Sequence, residues 1–245
     1  MQSATAYVVL VIFIATLIRS VLGFGEALVA VPLLALFLPV TVAAPLAVLV
    51  SITVALVIVL QDWHHVDFRS AGWLVGATVV GIPFGILLLT HTNERVVKTI
   101  LGVLILVFAL HALIKKQLHE LRSDHRSLML ISGFFAGILG GAYGMNGPPL
   151  AFYGALRRWN AQRFRATLQG YFLPASLLGM LGYWFAGLWT KQVNRYFVLC
   201  LPLALAAIFV GGIVNRRLHP NRFIRYVHAG LAVIGATLIV QAVRG

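Results

Sequence analysis

The chain has 245 residues, of which 60% are hydrophobic and 10% are charged, with a mean hydropathy of +0.95. Soluble globular domains carry about 25% charged residues, so this composition excludes a soluble domain and indicates a polytopic membrane protein. The net charge of +13 arises in short turns between apolar runs and forms no continuous basic face. That distribution argues against nucleic-acid binding and fits contact with anionic lipid headgroups.

Apolar windows long enough to cross the hydrocarbon core, about 20 residues each, predict an all-α membrane protein with about eight transmembrane helices. The first window follows no basic region and continues into further membrane sequence, so we interpret it as a span and not as a signal peptide. Two shorter apolar pieces are predicted to be broken or re-entrant half-helices, residues 27–38 and 148–156. The eight predicted spans cover residues 6–22, 42–60, 72–89, 96–114, 128–142, 167–188, 196–214 and 223–243.

Glycine and proline interrupt the apolar sequence at corresponding places in the two halves. The first interruption reads Gly-Phe-Gly-Glu at 23–26, followed by Pro32. The second, at 140–149, reads Gly-Gly-Ala-Tyr-Gly-Met-Asn-Gly-Pro-Pro. Inside a membrane such breaks are tolerated only where the freed backbone groups face protein, water or a ligand. Paired breaks in a duplicated membrane protein indicate the binding site of a transporter.

Weak similarity between the halves predicts two four-span repeats, residues 1–114 and 128–245, each with a half-helix near its start. Placing Gly23 on Gly140 also brings the prolines of the two breaks into register. A polar stretch, 115–127, is predicted to link the repeats. Because the predicted loops on the two sides carry similar numbers of Lys and Arg, the positive-inside rule does not decide the orientation.

Residues 19–34, Arg-Ser-Val-Leu-Gly-Phe-Gly-Glu-Ala-Leu-Val-Ala-Val-Pro-Leu-Leu, together with 144–153, Gly-Met-Asn-Gly-Pro-Pro-Leu-Ala-Phe-Tyr, resemble the sulfite exporter TauE/SafE family of bacterial membrane transporters. The resemblance covers essentially the whole chain, including its length, its spans and its two-repeat layout. It implies a multi-pass permease of the cell inner membrane. Members of this family are linked to sulfite, organosulfonates and other small anions.

Two charged residues lie beside the first break. Arg19 is about one turn before Gly23, and a charge at the membrane centre costs about 2.5 kcal/mol or more unless it is paired or hydrated. We expect its guanidinium either to hold an oxyanion with two hydrogen bonds or to extend to a membrane interface. Glu26 is the only acidic residue outside the predicted loops. It is a candidate proton carrier or, alternatively, a permanent ion-pair partner of Arg19.

The second break has the composition of a helix start. Asn146 is a favoured N-cap, Gly147 allows close backbone approach, and Pro148 fits a first helical turn. We expect the positive end of this half-helix, like that of the first, to favour an anion; the alternative is a kink that only relieves packing. The predicted substrate-binding residues are Arg19, Gly23, Gly25, Tyr143, Asn146, Gly147, Pro148 and Gln169, with Tyr153, Tyr171, Ser51 and Thr53 as weaker candidates.

No catalytic residue, metal site or cofactor is predicted. Cys200 lies in an apolar run, and the neighbouring His64 and His65 cannot both face one metal on a regular helix. The leading prediction is a secondary transporter that carries a small anion by alternating access. The alternatives are a membrane-embedded enzyme, which would need a nucleophile with a base or clustered acids, and a passive channel or partner subunit. The expected partners are the anion and the lipid bilayer but no nucleic acid, and a homo-oligomer is compatible with the sequence.

Overall fold

The computed structural model describes residues 2–62, 68–114, 126–156, 161–215 and 232–243. These ranges are all-helical. The predicted linker and the first part of the last predicted span lie largely outside them. The described helices are α1 (Gln2–Leu22), α2 (Glu26–Ala35), α3 (Val40–Asp62), α4 (Phe68–His91), α5 (Glu94–Ile114), α6 (Arg126–Tyr143), α7 (Gly147–Leu156), α8 (Ala161–Phe185), α9 (Lys191–Asn215) and α10 (Ala232–Val243).

Five of the described helices, α1, α3, α4, α6 and α9, are long and apolar enough to cross a membrane. The chain is therefore a multi-pass membrane protein. Helices α5 and α8 have 21 and 25 residues, which is comparable in length, but they are not among these five. The total of eight spans stays a prediction.

Glycine creates the first break, between α1 and α2. Gly23 and Gly25 have φ values of 85° and 98°, a region that residues with a side chain rarely adopt. The Gly23 N–H donates to the Arg19 carbonyl at 2.6 Å and closes α1. Helix α2 then has only 10 residues, or about 15 Å at the rise of an α-helix, roughly half the hydrocarbon thickness.

Within the glycine- and proline-rich stretch 140–149, the break itself is short. Helix α6 continues through Gly140 and ends at Tyr143, one residue beyond the predicted end of this span, and the chain turns at Gly144, whose φ is 67°. Gly140 and Gly141 lie within the helix, where they allow close contacts with neighbouring groups. Helix α7, again of 10 residues, starts at Gly147.

The tightest helix contact joins α4 to α6. At Gly137 an added Cβ would lie 2.9 Å from the Cα atom of Gly81 and 3.0 Å from that of Thr78. Small residues at helix crossings permit this close approach in lipid, where dispersion contacts drive association. The glycines at this crossing are Gly81, Gly85, Gly133, Gly137 and Gly141. Extensive contacts also join α1 to α9 and α3 to α8.

Helix α3 is the most enclosed of the five spanning helices. In its most apolar window 67% of the residues are buried, compared with 28% in α9. It contacts α2, α8 and α9. This central position brings the middle of α3 close to both breaks.

Candidate functional site

The two breaks meet at a small cavity. Its volume is about 20 Å³, room for about one water molecule. A Cβ added to Gly147 would lie 3.7 Å from Cδ2 of Phe24, so the two breaks are in close proximity. The cavity is lined by Arg19, Gly25, Glu26, Ala27, Leu28, Ser51, Gly144, Met145, Asn146, Gly147, Pro148 and Phe172.

Arg19 lies at the centre of the polar network and is only 2% exposed. Its Nη1 donates to Glu26 Oε2 at 2.5 Å and to Ser51 Oγ at 2.7 Å, and its Nη2 donates to Gln169 Oε1 at 2.7 Å. Its buried Nε has no hydrogen-bond partner among the described residues. The guanidinium is thus enclosed by protein and does not extend to a membrane interface, which overturns that alternative.

One face of α8 supports the guanidinium. Gln169, Phe172 and Ser176 follow one another at spacings that share a helix face. The Phe172 ring centroid lies 4.9 Å from Cζ of Arg19, a cation–π contact. The Oγ atoms of Ser176 and Ser51 are 3.2 Å apart and tie α8 to α3. Arg19 is therefore fixed on two sides by groups that carry no charge.

Glu26 lies in the first turn of α2 and is buried, with 2% exposure. Its Oε2 accepts from Arg19, and its Oε1 accepts from Thr16 Oγ1 at 2.9 Å. The ion pair that the sequence left as an alternative is present. Because a buried charge without its partner costs several kcal/mol, each residue supports the burial of the other.

The start of α2 has the features of an anion site. It has no side-chain cap, and its first helical hydrogen bond runs from the Val29 N–H to the Gly25 carbonyl at 3.1 Å. The N–H groups of the first turn have no carbonyl of their own helix to bind. Gly25 through Leu28 line the cavity. A helix start without a side-chain cap and with a nearby arginine favours an oxyanion.

The start of α7 is chemically different. Its first turn contains Pro148 and Pro149, which have no backbone N–H, so Gly147 supplies the N–H of that turn. Helix α7 keeps its dipole but offers fewer hydrogen-bond donors than α2. The two helix starts therefore differ in the number of backbone donors they offer, and the expectation that both favour an anion stays a prediction.

Comparison with known proteins is consistent with this geometry. The family model of the sulfite exporter TauE/SafE family matches residues 8–238. The chain belongs to this family. It is also 24% identical over 237 residues to the probable sulfite/organosulfonate exporter TauE of Cupriavidus necator, a match that covers 93% of this chain and 91% of that protein. No solved structure matches it. Members of the TauE/SafE family are membrane exporters, so the chain is a transporter and not an enzyme.

Three predicted residues of this TauE/SafE member do not line the cavity. The Gly23 carbonyl accepts from Gln169 Nε2 at 2.6 Å, so these two residues hold the break to α8. Tyr143 donates from its hydroxyl to the Val97 carbonyl at 2.9 Å, which joins α6 to α5. The remaining predicted residues, Arg19, Gly25, Asn146, Gly147 and Pro148, line the cavity together with Glu26. Whether any of them binds substrate stays a prediction.

Asn146 packs against α6 and α8. A Cβ added to Gly140 would lie 2.6 Å from Asn146 Oδ1, so Gly140 provides the room for this side chain. Its Nδ2 donates to the Tyr171 hydroxyl at 3.4 Å, and that hydroxyl is 2.7 Å from Thr78 Oγ1. Asn146 thus connects the second break to both neighbouring helices.

Thr16 and Phe172 are site residues that were not predicted from the sequence. Thr16 precedes Arg19 by three positions and Phe172 follows Gln169 by three, and residues at this spacing are neighbours on a helix. A search for polar and aromatic neighbours of the selected residues would have found both. His64 and His65 lie outside the described residues, within which no group of three or more His, Cys, Asp or Glu could hold a metal ion.

The Gln169→Leu variant is expected to lower the thermal stability of the purified protein. The substitution leaves Arg19 Nη2 and the Gly23 carbonyl without partners, at about 1–3 kcal/mol for each buried group. The measurement is the unfolding midpoint in detergent. Gln241→Leu is the matched control, because Gln241 makes one exposed hydrogen bond, to the Leu36 carbonyl. Equal midpoints for the two variants would contradict the prediction.

Proposed function

We propose that this protein is a secondary transporter of the bacterial inner membrane for a small anion such as sulfite or an organosulfonate. The observation that carries the proposal is the buried Arg19 beside the uncapped start of α2, both lining one cavity between the two breaks. The TauE/SafE family and the exporter from Cupriavidus necator support the same substrate class.

The chemistry of the cavity favours an oxyanion over a cation. A guanidinium presents its N–H groups in a planar fork that matches two oxygens of a sulfonate or sulfite. Backbone N–H groups at the start of α2 provide further donors. The cavity lining also contains one carboxylate, that of Glu26, and Arg19 already neutralises its charge. A small cation would find no uncompensated negative charge among the residues that line this cavity.

Two observations support a two-repeat architecture with alternating access. Helix boundaries recur after 121 residues: starts at 26 and 147, starts at 40 and 161, and ends at 22 and 143. Contacts recur as well. If α1 to α5 correspond in order to α6 to α10, the α4–α6 contact of one repeat corresponds to the α9–α1 contact of the other. The α4–α8 contact corresponds in the same way to the α9–α3 contact. In transporters with internal repeats, the substrate site lies where discontinuous helices of the repeats meet.

The size of the cavity favours a carrier over a channel. A volume of about 20 Å³ holds about one water molecule, so a sulfonate group requires movement of the cavity walls. A carrier provides this movement in each transport cycle.

The proposal is tested with purified protein in proteoliposomes. We expect saturable flux of sulfite and methanesulfonate, acceleration by the same anion on the opposite side, and no flux of Na⁺ or K⁺. Protein-free liposomes give the background. Transport of cations alone would refute the anion site, and flux that rises linearly with concentration would indicate a channel.

A further inference from the structure

We propose that Glu26 is an internal competitor for Arg19: a substrate monoanion takes the place of the carboxylate on the guanidinium, Glu26 accepts one proton, and anion and proton cross the membrane together without net charge. This inference rests on the proposed transport function and adds the coupling ion and its stoichiometry.

The anion would bind Arg19 at the position that the Glu26 carboxylate now occupies. Glu26 Oε2 accepts a hydrogen bond from Arg19 Nη1, which also donates to Ser51 Oγ, while Nη2 donates to Gln169 Oε1. The carboxylate thus holds the position on Arg19 that an external oxyanion would use. The remaining cavity, about 20 Å³, is too small for a sulfonate. Release of the carboxylate from Arg19 provides both the hydrogen-bond donor and part of the space.

The net charge of the buried site shows why a bound anion would require a proton. Among the residues whose side-chain burial the structure describes, Arg19 and Glu26 are the only charged ones that are buried. Together they are neutral. A monoanion bound to Arg19 would leave one net negative charge in a medium of low dielectric constant, which is strongly unfavourable. One proton restores neutrality.

The acceptor of the proton would be Glu26 Oε2. When Arg19 turns to the substrate, Glu26 Oε2 loses its hydrogen bond and becomes the site at which an O–H bond forms. Oε1 still accepts from Thr16 Oγ1. The proton comes from water on the side from which the anion enters, and it leaves when the anion leaves and the ion pair forms again. No other bond is made or broken.

Among the described residues that surround Glu26 there is no second proton acceptor of this kind. Its neighbours across the site are Arg19 and Thr16 on α1, Ser51 on α3, Asn146 at the second break and Gln169 on α8. Apart from Arg19, none of these side chains ionises in the physiological range. The helices in contact with α2 carry these other titratable or charged residues: Tyr7 on α1, which bonds the Leu33 carbonyl at the other end of α2, Asp62 as the last residue of α3, and Glu94, Arg95, Lys98 and His111 on α5. Glu94 and Arg95 are exposed.

The experiment uses methanesulfonate, the anion of a strong acid, so that protonation of the probe does not contribute. Proteoliposomes are given an acidic exterior, with the membrane potential held at zero by potassium and valinomycin. For one proton per anion, a pH difference of one unit is expected to drive roughly tenfold accumulation, because tenfold is the concentration ratio that balances one proton over that gradient. A membrane potential alone should drive none.

The Glu26→Gln variant should reverse this behaviour. With no group to accept the proton, the accumulation ratio falls to one under the pH difference, and a potential that is positive inside now drives uptake. Glu26→Asp keeps a titratable group and should keep the tenfold ratio at a lower rate, which separates loss of coupling from misfolding. Glu94→Gln, at the exposed i,i+4 pair with Lys98, is the matched control and should behave like the wild type.

The outcomes separate the two proposals. Absence of any anion flux by the wild-type protein would overturn the transport function itself. Wild-type flux that a pH difference does not drive, or a Glu26→Gln variant that still accumulates methanesulfonate tenfold, would overturn the coupling and leave the anion transporter in place.

Discussion

Replacing Arg19 by glutamine is expected to reduce anion flux in proteoliposomes by about 100-fold or more. The variant loses the buried guanidinium that would bind the substrate, and it leaves Glu26 without its ion-pair partner. Two charge-assisted hydrogen bonds from the guanidinium to the substrate would contribute about 1.5–3 kcal/mol each, and each 1.4 kcal/mol corresponds to a factor of about ten. The measurement is the initial rate of sulfite or methanesulfonate uptake, normalised to the amount of folded protein.

Two further variants separate binding from folding. Arg19→Gln combined with Glu26→Gln removes both buried charges, so it should recover stability but not flux. Arg126→Gln is the surface control, because Arg126 is exposed and lies over the Trp73 ring at 5.8 Å. Wild-type flux by the double variant would show that the guanidinium does not hold the substrate.

Substituting Gly137 by alanine is expected to destabilise the protein by at least about 3 kcal/mol, at the upper end of the usual cost of overpacking. The added methyl group would lie 2.9 Å from the Cα of Gly81 and 3.0 Å from the Cα of Thr78, and backbone atoms cannot yield as a flexible side chain can. The α4–α6 crossing must therefore separate. The measurement is the unfolding midpoint in detergent or in lipid nanodiscs.

Gly76→Ala is the matched control for this substitution. Gly76 is also in a spanning helix, α4, but a Cβ there meets nothing within 4 Å. Since alanine favours a helix over glycine by about 0.8–1 kcal/mol, this variant should be as stable as the wild type or more so. Similar losses of stability in the two variants would contradict the close helix crossing.

The first break was largely predictable because its signal is local. Glycine readily adopts the positive φ that ends a helix, as Gly23 and Gly25 do. The short apolar piece that follows cannot span a bilayer. The pairing of Arg19 with Glu26 was also within reach, since they are the charges beside the break and only seven positions apart. The second break was predictable to within one residue at the end of α6, but the sequence does not distinguish the roles of its glycines. Gly140 makes room for the Asn146 side chain, Gly141 packs against α4, and Gly144 turns the chain.

The remainder of the site depends on distant residues. Gln169 reaches Arg19 across 150 positions of sequence, and Ser176 reaches Ser51 across 125. The Ser176–Ser51 contact exists because α3 and α8 lie side by side, and the Gln169–Arg19 contact joins α8 to α1. Hydrophobic periodicity does not predict which helices are neighbours. Gln169 was selected as a polar residue within an apolar run, but its second contact, with the Gly23 carbonyl, could be found only in three dimensions.

The way the sequence halves interlock restricts how the protein can move. The most extensive helix contacts, α4 with α6 and α1 with α9, join the first half of the chain to the second. A rigid-body rotation of one half against the other would separate these glycine-packed helix crossings. The free energy required would be far above what one small solute can supply on binding. Because the two 10-residue helices have shorter interfaces, we expect them to shift more readily than the long helices. We therefore expect a fixed frame of long helices within which α2 and α7 alternately open the pocket to either side of the membrane.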